Sequence, residues 1–234
     1  MSAIIAYTTK NYIVIATDTL SHTKGKDALI PCNFTSKTYY LPQQQSCFAI
    51  LGFLGLAAQF YTFANEKIVA KDVGSLISIC QQSFLQFLDA SACPGEHVGT
   101  IYLFGYCTVK KGLRNFRLTI TKSAIDIEEK GEREFFLKPE IKNTSEVMNR
   151  DIHLAQQIGE LEFVKQKMIE MMGLQVAEDR ELPVIEQVGI GGQIQITTMF
   201  ITEQGTISYL VEMVHTFEGF DQVYEQMLRN GKRS

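Results

Sequence analysis

Features that define several specialised protein classes are missing from this chain of 234 residues. Its five cysteines are odd in number, include no CxxC pair and fit no zinc-binding spacing. They are Cys32, Cys47, Cys80, Cys93 and Cys107. Most of them lie among apolar residues, where a free thiol behaves as a small hydrophobic side chain. This usage predicts a reducing, cytoplasmic location and no metal site.

The chain also lacks a long apolar run and an excess of basic residues. Its longest apolar stretch, residues 47–63, is interrupted by Gly52, Gly55 and Gln59, so it is too short to cross a bilayer. The first residues have no basic segment followed by an apolar one, as a secretory signal would. The net charge is −4, whereas a nucleic-acid partner favours a basic face. We therefore expect no membrane partner and no nucleic-acid partner.

Motifs for cofactors are equally scarce. Four histidines are scattered without the HExxH spacing of a zinc site, at His22, His97, His153 and His215. The segment Gly189-Ile190-Gly191-Gly192 precedes a predicted strand, whereas a dinucleotide fingerprint precedes a helix. The sequence therefore predicts no cofactor.

What the chain does have is a succession of apolar hairpins and amphipathic helices. The predicted strands are residues 3–8, 12–17, 36–41, 46–52, 97–107, 113–121, 191–202 and 206–217, with shorter pieces at 124–129 and 133–139. The predicted helices are residues 55–70, 72–90, 145–173 and 218–230, with Asp72 as an N-cap and a break near Gly159. Residues 19–36 are predicted to be a loop, and residues 175–183 a polar link. Hairpin connections favour antiparallel sheets with helices outside them, an α+β fold in a single domain over residues 1–234.

A polar residue lies at one end of each of the first two predicted strands, beside an otherwise apolar run. Ser2 precedes the first strand and Asp18 ends the second, in SAIIAYTTKNYIVIATDTL. This segment resembles the start of mature proteasome β-type subunits and of the related bacterial self-compartmentalising proteases. In that family a nucleophile, usually threonine, stands at the tip of the first strand and an aspartate ends the second. Ser2 and Asp18 fall on those two positions without a gap.

The resemblance continues at two further positions and in the closing hairpin. Lys37 in SKTYYL matches the lysine that begins the third strand of the family, after a slightly longer loop. Gly55 in FAILGFLGLAAQ matches the glycine whose backbone N–H forms the oxyanion hole. The hairpin IGGQIQITTMFITEQGTISYLV is similar to the last strands of bacterial members. The likeness covers most of the chain in layout and about the first 60 residues in motif detail.

The resemblance implies an N-terminal nucleophile (Ntn) hydrolase with a four-layer αββα sandwich of two antiparallel sheets. Ser2 would be the nucleophile after removal of Met1, and its α-amine, with a pKa of about 7.7–8.0, would be the base. Lys37 would lower the pKa of the nucleophile, and Asp18 would pair with Lys37. Gly55 N–H would bind the developing oxyanion. The substrate would be a peptide or protein, and the family's assembly implies a homo-oligomeric ring, with helices near residues 56–90 packing between subunits.

The chain departs from the family pattern in its second half. Where the family has aspartate–any–any–serine–glycine–glycine, this chain has Gln187 and Ile190 in place of the acid and the hydroxyl. A glycine–serine–glycine before the third helix is also missing, and Ser145 is its nearest substitute. Two alternatives therefore stay open beside the peptidase. One is a catalytically inactive proteasome-like subunit with a scaffold or assembly role, and the other is a small-molecule amidase.

Overall fold

The computed structural model describes residues 3–25, 28–52, 54–91, 93, 95–142, 144–150 and 153–231. Within these ranges the fold mixes α-helices with antiparallel β-sheets. The strands are β1 (Ile4–Thr8), β2 (Tyr12–Asp18), β3 (Leu20–Lys24), β4 (Leu29–Phe34), β5 (Thr38–Leu41), β6 (Ser46–Gly52), β7 (His97–Cys107), β8 (Gly112–Thr121), β9 (Ile125–Glu129), β10 (Phe135–Lys138), β11 (Gln193–Ile201) and β12 (Ile207–Thr216). The helices are α1 (Leu54–Thr62), α2 (Val73–Ile79), α3 (Leu85–Phe87), α4 (Thr144–Asn149), α5 (Leu154–Ile158), α6 (Glu160–Glu181) and α7 (Phe220–Gly231). π-Helical turns at Phe63–Lys67 and Cys80–Phe84 follow α1 and α2, and a 3₁₀ turn at Pro42–Gln44 precedes β6.

The described strands form two five-stranded sheets and one separate hairpin. The first sheet has the order β10-β1-β2-β11-β12, and the second has the order β5-β6-β7-β8-β9. β3 pairs with β4 alone. All these pairs are antiparallel, so the predicted antiparallel sheets are confirmed.

The β1–β2 hairpin is buried on both of its faces. Its register pairs Ile4 with Thr17 and Thr8 with Ile13 across the polar Lys10-Asn11 turn. Because successive side chains of a strand point to opposite faces, a strand without polar alternation needs apolar neighbours on both sides. All five residues of β1 are buried, as the sequence predicts.

Apolar side chains gather into three clusters around the sheets. One cluster combines the second sheet with the helices that follow β6, and Phe60 there lies edge-to-face on Phe48 and Phe84 at 4.8 and 5.3 Å between ring centroids. A second cluster contains side chains of both sheets, such as Ile15 and Phe104. A third combines the first sheet with methionines and valines of α6. Burial of each large apolar side chain stabilises the fold by roughly 1.5–3 kcal/mol.

Asp72 caps α2, as predicted. Its carboxylate accepts from the Ser75 backbone N–H at 2.8 Å, and Ser75 Oγ accepts from the Asp72 N–H at 3.1 Å, which completes a capping box. The other carboxylate oxygen accepts from the N–H of Thr108, just after β7, at 2.8 Å. Asp72 thus ties α2 to the β7–β8 turn.

The predicted loop over residues 19–36 is wrong. Residues 20–24 and 29–34 form the antiparallel hairpin β3–β4, in which Leu20 pairs with Phe34. None of its side chains whose exposure is described is fully buried, the middle of β3 is polar (Ser21, His22, Thr23), and Pro31 interrupts β4, so no regular apolar alternation marks the two strands. One anchor of the hairpin is Phe34, whose ring lies 4.6 Å from that of Phe220 in α7.

The predicted polar link over residues 175–183 is also wrong at most of its positions. Helix α6 continues through Glu181 because Val176 packs into the cluster below the first sheet, and Gln175 and Asp179 are buried beside it. The break predicted at Gly159 is confirmed: Gly159 has a φ of 88° and separates α5 from α6.

Among the described residues, no helix combines the length and hydropathy needed to cross a bilayer.

Candidate active site

Asp18 lies at the end of β2 with its carboxylate fully buried. One carboxylate oxygen, Oδ1, accepts from Lys37 Nζ at 2.7 Å and from the Ala3 N–H at 2.9 Å. The other oxygen, Oδ2, accepts from the Gly191 N–H at 3.3 Å. A buried carboxylate needs such donors, because an ionised group without partners is strongly disfavoured away from water.

Lys37 stands just before β5 and is also buried, with 7% of its surface exposed. Besides Asp18, its ammonium donates to the Leu20 carbonyl oxygen at 2.6 Å. A lysine at the start of a strand is ordinarily a solvated side chain. Here the structure brings Lys37 and Asp18 together, in the pairing that the resemblance implies.

Burial dominates the electrostatics of this pair. It lowers the pKa of the Lys37 ammonium, and the attraction and hydrogen bond of Asp18 act against that shift. Burial likewise raises the pKa of the Asp18 carboxyl, against the charge of Lys37 and the N–H donors of Ala3 and Gly191. Both shifts disfavour the charged forms, since each charge has lost its hydration. A lysine with a lowered pKa gives up its proton more readily than a solvated one.

The start of the chain is connected to this pair through Ala3. The N–H of Ala3 belongs to the peptide bond that joins Ser2 to Ala3, and it is donated to Asp18. Ser2 itself, the predicted nucleophile, lies outside the described residues, as does Met1. The described contacts thus reach the peptide group next to the predicted nucleophile.

Gly55 is the second residue of α1, which begins shortly after β6. The first N–H groups of a helix have no acceptor within the helix, so the N–H of Gly55 is a donor that a ligand can use. β6 ends at Gly52, where the backbone of Gly99 in β7 leaves no room for a side chain: a Cβ at Gly52 would lie 2.7 Å from Gly99 Cα.

A glycine-rich loop, residues 188–192, closes over the end of β2. Gly191 donates its N–H to Asp18, and its carbonyl oxygen accepts from the Leu20 N–H at 3.1 Å. Gly192 has a φ of 80° and leaves no space beside Thr19 Oγ1, where a Cβ would come within 2.6 Å. Glycine is required at such a position, because other residues rarely adopt this backbone conformation.

Gln187 and Ile190, two of the positions that differ from the family pattern, supply no acid or hydroxyl to this pair. Gln187 donates from Nε2 to the Leu182 carbonyl oxygen at 2.8 Å, at the end of α6. Ile190 is buried in the cluster below the first sheet. Ser145 lies in the short helix α4.

Three contributors to this site escape sequence reasoning. The Leu20 carbonyl and the Gly191 N–H are backbone groups, which no residue type announces. The third, Asp179, accepts from the backbone of the 188–192 loop and lies in the segment predicted to be a polar link. The three glycines at 189, 191 and 192 were the available signal, since such a cluster marks close backbone approach.

Among the described residues, no group of three or more His, Cys, Asp or Glu side chains is arranged to hold a metal ion.

Comparison with known proteins gives a likeness among solved structures and none to a family model or a curated protein. No protein-family model matches the chain, and no curated protein matches it. Among solved structures, the chain is similar to Anbu (ancestral beta-subunit) from Yersinia bercovieri, with a TM-score of 0.49 and 12% sequence identity. The alignment covers 100% of this chain and 95% of that one.

Proposed function

We propose that this protein is a proteasome-like N-terminal serine hydrolase that cleaves peptide or other amide bonds. The observation that carries the proposal is the buried Lys37–Asp18 pair, in which Asp18 also holds the peptide N–H between Ser2 and Ala3. An ion pair is costly to bury and contributes little net stability, so its presence at this point favours a role in chemistry.

In the proposed reaction Ser2 Oγ attacks the carbonyl carbon of the amide. The α-amine of Ser2 takes the hydroxyl proton and then gives it to the leaving amine, so an ester of Ser2 and a free amine result. Water, deprotonated by the same amine, then hydrolyses the ester and regenerates Ser2. The positive charge of Lys37 lowers the pKa of the attacking hydroxyl. The Gly55 N–H donates to the oxyanion, an interaction that contributes roughly 3 kcal/mol in such sites.

The finer architecture is part of the proposal. An Ntn hydrolase has two sheets packed face to face between two helical layers, the αββα sandwich. The three apolar clusters support this arrangement, because one holds side chains of both sheets and the other two join each sheet to helices. The assembly into a homo-oligomeric ring rests on the resemblance alone. Exposed Tyr61 and Val69, near α1, are compatible with contacts between subunits, and the particle mass in solution tests this.

The first experiment is intact-mass analysis and N-terminal sequencing of the protein from its native host, followed by incubation with a β-lactone or epoxyketone probe. We expect a chain that begins Ser-Ala-Ile and gains one probe mass on Ser2. The matched control is S2A, whose small first residue still allows methionine removal but provides no hydroxyl. Retention of Met1, or labelling that persists in S2A, would rule out Ser2 as the nucleophile.

The inactive scaffold is the second candidate, and one observation favours it. Gln187 and Ile190 are engaged elsewhere, with the helix end and the apolar cluster, and bring no acid or hydroxyl to the pair. A scaffold would retain the fold without reacting with the probe. Cleavage of small amides without cleavage of peptides, together with acylation of Ser2, would instead identify a small-molecule amidase.

A further inference from the structure

Asp179 lies near the end of α6 and is buried, with 5% of its surface exposed. Its carboxylate accepts three consecutive backbone N–H groups of the 188–192 loop: Val188 at 2.6 Å on Oδ1, and Gly189 at 2.8 Å and Ile190 at 3.3 Å on Oδ2. Three donors on one buried carboxylate fix the loop relative to the helix, since each would be costly to leave unpaired.

The next residue of the loop, Gly191, forms hydrogen bonds to both residues that accept from the Lys37 ammonium, Asp18 and Leu20. Its N–H is donated to Oδ2 of Asp18, and its carbonyl oxygen accepts from the N–H of Leu20. Lys37 Nζ in turn donates to Asp18 Oδ1 and to the Leu20 carbonyl oxygen. A continuous chain of hydrogen bonds and covalent bonds therefore runs from Asp179 to Lys37.

The loop has little freedom to take another path. Gly189 has a φ of 77°, and the ring of His22 from β3 occupies the space that a Cβ at this position would need. His22 and Asp179 thus hold Gly189 from two sides. A change at either contact should be transmitted to Gly191, because packed backbone segments shift together.

We propose that Asp179 is a positioning residue that holds the Lys37 ammonium in place through the 188–192 loop. It accepts only from backbone N–H groups of the loop in the described contacts, so it acts through Gly191, Asp18 and Leu20. The consequence for catalysis rests on the proposed function, whereas the consequence for Lys37 does not.

The test measures the accessibility of Lys37 directly in D179N. Asparagine has nearly the same shape, but one of its two terminal atoms becomes an NH₂ that faces an N–H donor, whichever way the amide is turned. Brief acetylation with acetic anhydride, followed by peptide mass spectrometry, gives the reactivity of Lys37 relative to exposed Lys10. We expect D179N to raise this ratio by about tenfold, the change in local opening that follows from loss of a buried hydrogen bond.

The matched control is D72N. Asp72 is likewise buried and accepts backbone N–H groups of Ser75 and Thr108 at 2.8 Å, but it serves α2 and the second sheet. D72N should lose comparable global stability and leave Lys37 reactivity unchanged. An equal rise in both variants, or no rise in D179N, would overturn the proposal. If D179N does not fold, G189A displaces the same loop against His22 and must raise Lys37 reactivity in its place.

Labelling of Ser2 by the β-lactone probe, measured in parallel, separates this inference from the proposed function. A rise in Lys37 reactivity with slower Ser2 labelling supports both. Lys37 reactivity can rise in D179N while Ser2 of the unmodified protein does not react with the probe. That result supports the positioning role and counts against the hydrolase. Labelling of Ser2 that is unaffected in D179N, with Lys37 still protected, overturns the positioning role alone.

Discussion

Lys37 and Asp18 form a buried ion pair, Nζ to Oδ1 2.7 Å, that joins the start of β5 to the end of β2. The two strands belong to different sheets, so this pair is a polar connection between the sheets. Its components come from three sources: two side chains, the carbonyl of Leu20, and the N–H groups of Ala3 and Gly191. Every oxygen of the buried carboxylate has a donor, as a buried charge requires.

Removal of one member of the pair should destabilise the protein strongly. In K37M the Asp18 carboxylate stays buried with only two N–H donors, so we expect a loss of about 3–5 kcal/mol in the free energy of unfolding. The double variant D18N/K37M should lose less than the sum of the single variants, because it leaves no buried charge. Urea unfolding followed by circular dichroism measures the free energy of unfolding of K37M, D18N and D18N/K37M. K10M, at an exposed lysine, is the control, and a K37M loss no larger than that of K10M would contradict the buried pair.

Gly55 offers a test of the oxyanion donor. G55P removes one N–H in the first turn of α1, where proline is tolerated because the first N–H groups have no acceptor within the helix. We expect Ser2 acylation by an activated amide or β-lactone to slow by about 10²–10³-fold. G55A retains the N–H and should react at nearly the original rate. If G55P and G55A react equally fast, Gly55 N–H is not the donor.

The cap of α2 should make stability depend on pH. Burial acts to raise the pKa of Asp72, but the hydrogen bonds from Ser75 and Thr108 outweigh it, so the pKa lies below its ordinary value. A carboxyl with a depressed folded-state pKa stabilises the fold above its unfolded pKa of about 3.9, and this contribution is lost as the pH falls through the folded pKa.

We therefore expect D72N to be less stable than the unmodified protein by about 1–2 kcal/mol near neutral pH, with a difference that shrinks as the pH falls below about 4. Guanidinium unfolding between about pH 6 and pH 3 measures the difference. A stability difference between D72N and the unmodified protein that stays constant over this range would show that the Asp72 charge does not stabilise the fold.

The elements of this fold that the sequence predicts are those with a strong local signal, such as an apolar run, a capping residue or a helix-breaking glycine. The β1–β2 hairpin, the α2 cap and the break at Gly159 each have a local cause in a few adjacent residues. The β3–β4 hairpin and the last turns of α6 do not. The hairpin lacks a regular apolar alternation and has no fully buried side chain among those described, and α6 continues because Val176 and Asp179 find buried partners outside the helix.

The candidate site divides in the same way. Asp18 and Lys37 could be predicted because a charged residue next to an apolar strand calls for a partner, and the family register supplied one. Gly191 and Leu20 could not, because their contribution comes from backbone groups whose direction depends on the loop. Asp179 could not either, since its three acceptor contacts exist only once α6 and the 188–192 loop are packed together.

The five cysteines should differ sharply in reactivity, which tests both the core and the absence of cross-links in the fold. They are all free, and only Cys32 is exposed, whereas Cys47, Cys80, Cys93 and Cys107 are buried. Burial raises the pKa of the Cys80 thiol to about 12 and that of Cys47 as well, so little thiolate forms at either. Brief treatment of the native protein with iodoacetamide should therefore label Cys32 alone, and C32S should take up almost none. In denaturant all five should react. Rapid native labelling of Cys47, which packs between side chains of both sheets, would mean that the sheets do not close over it.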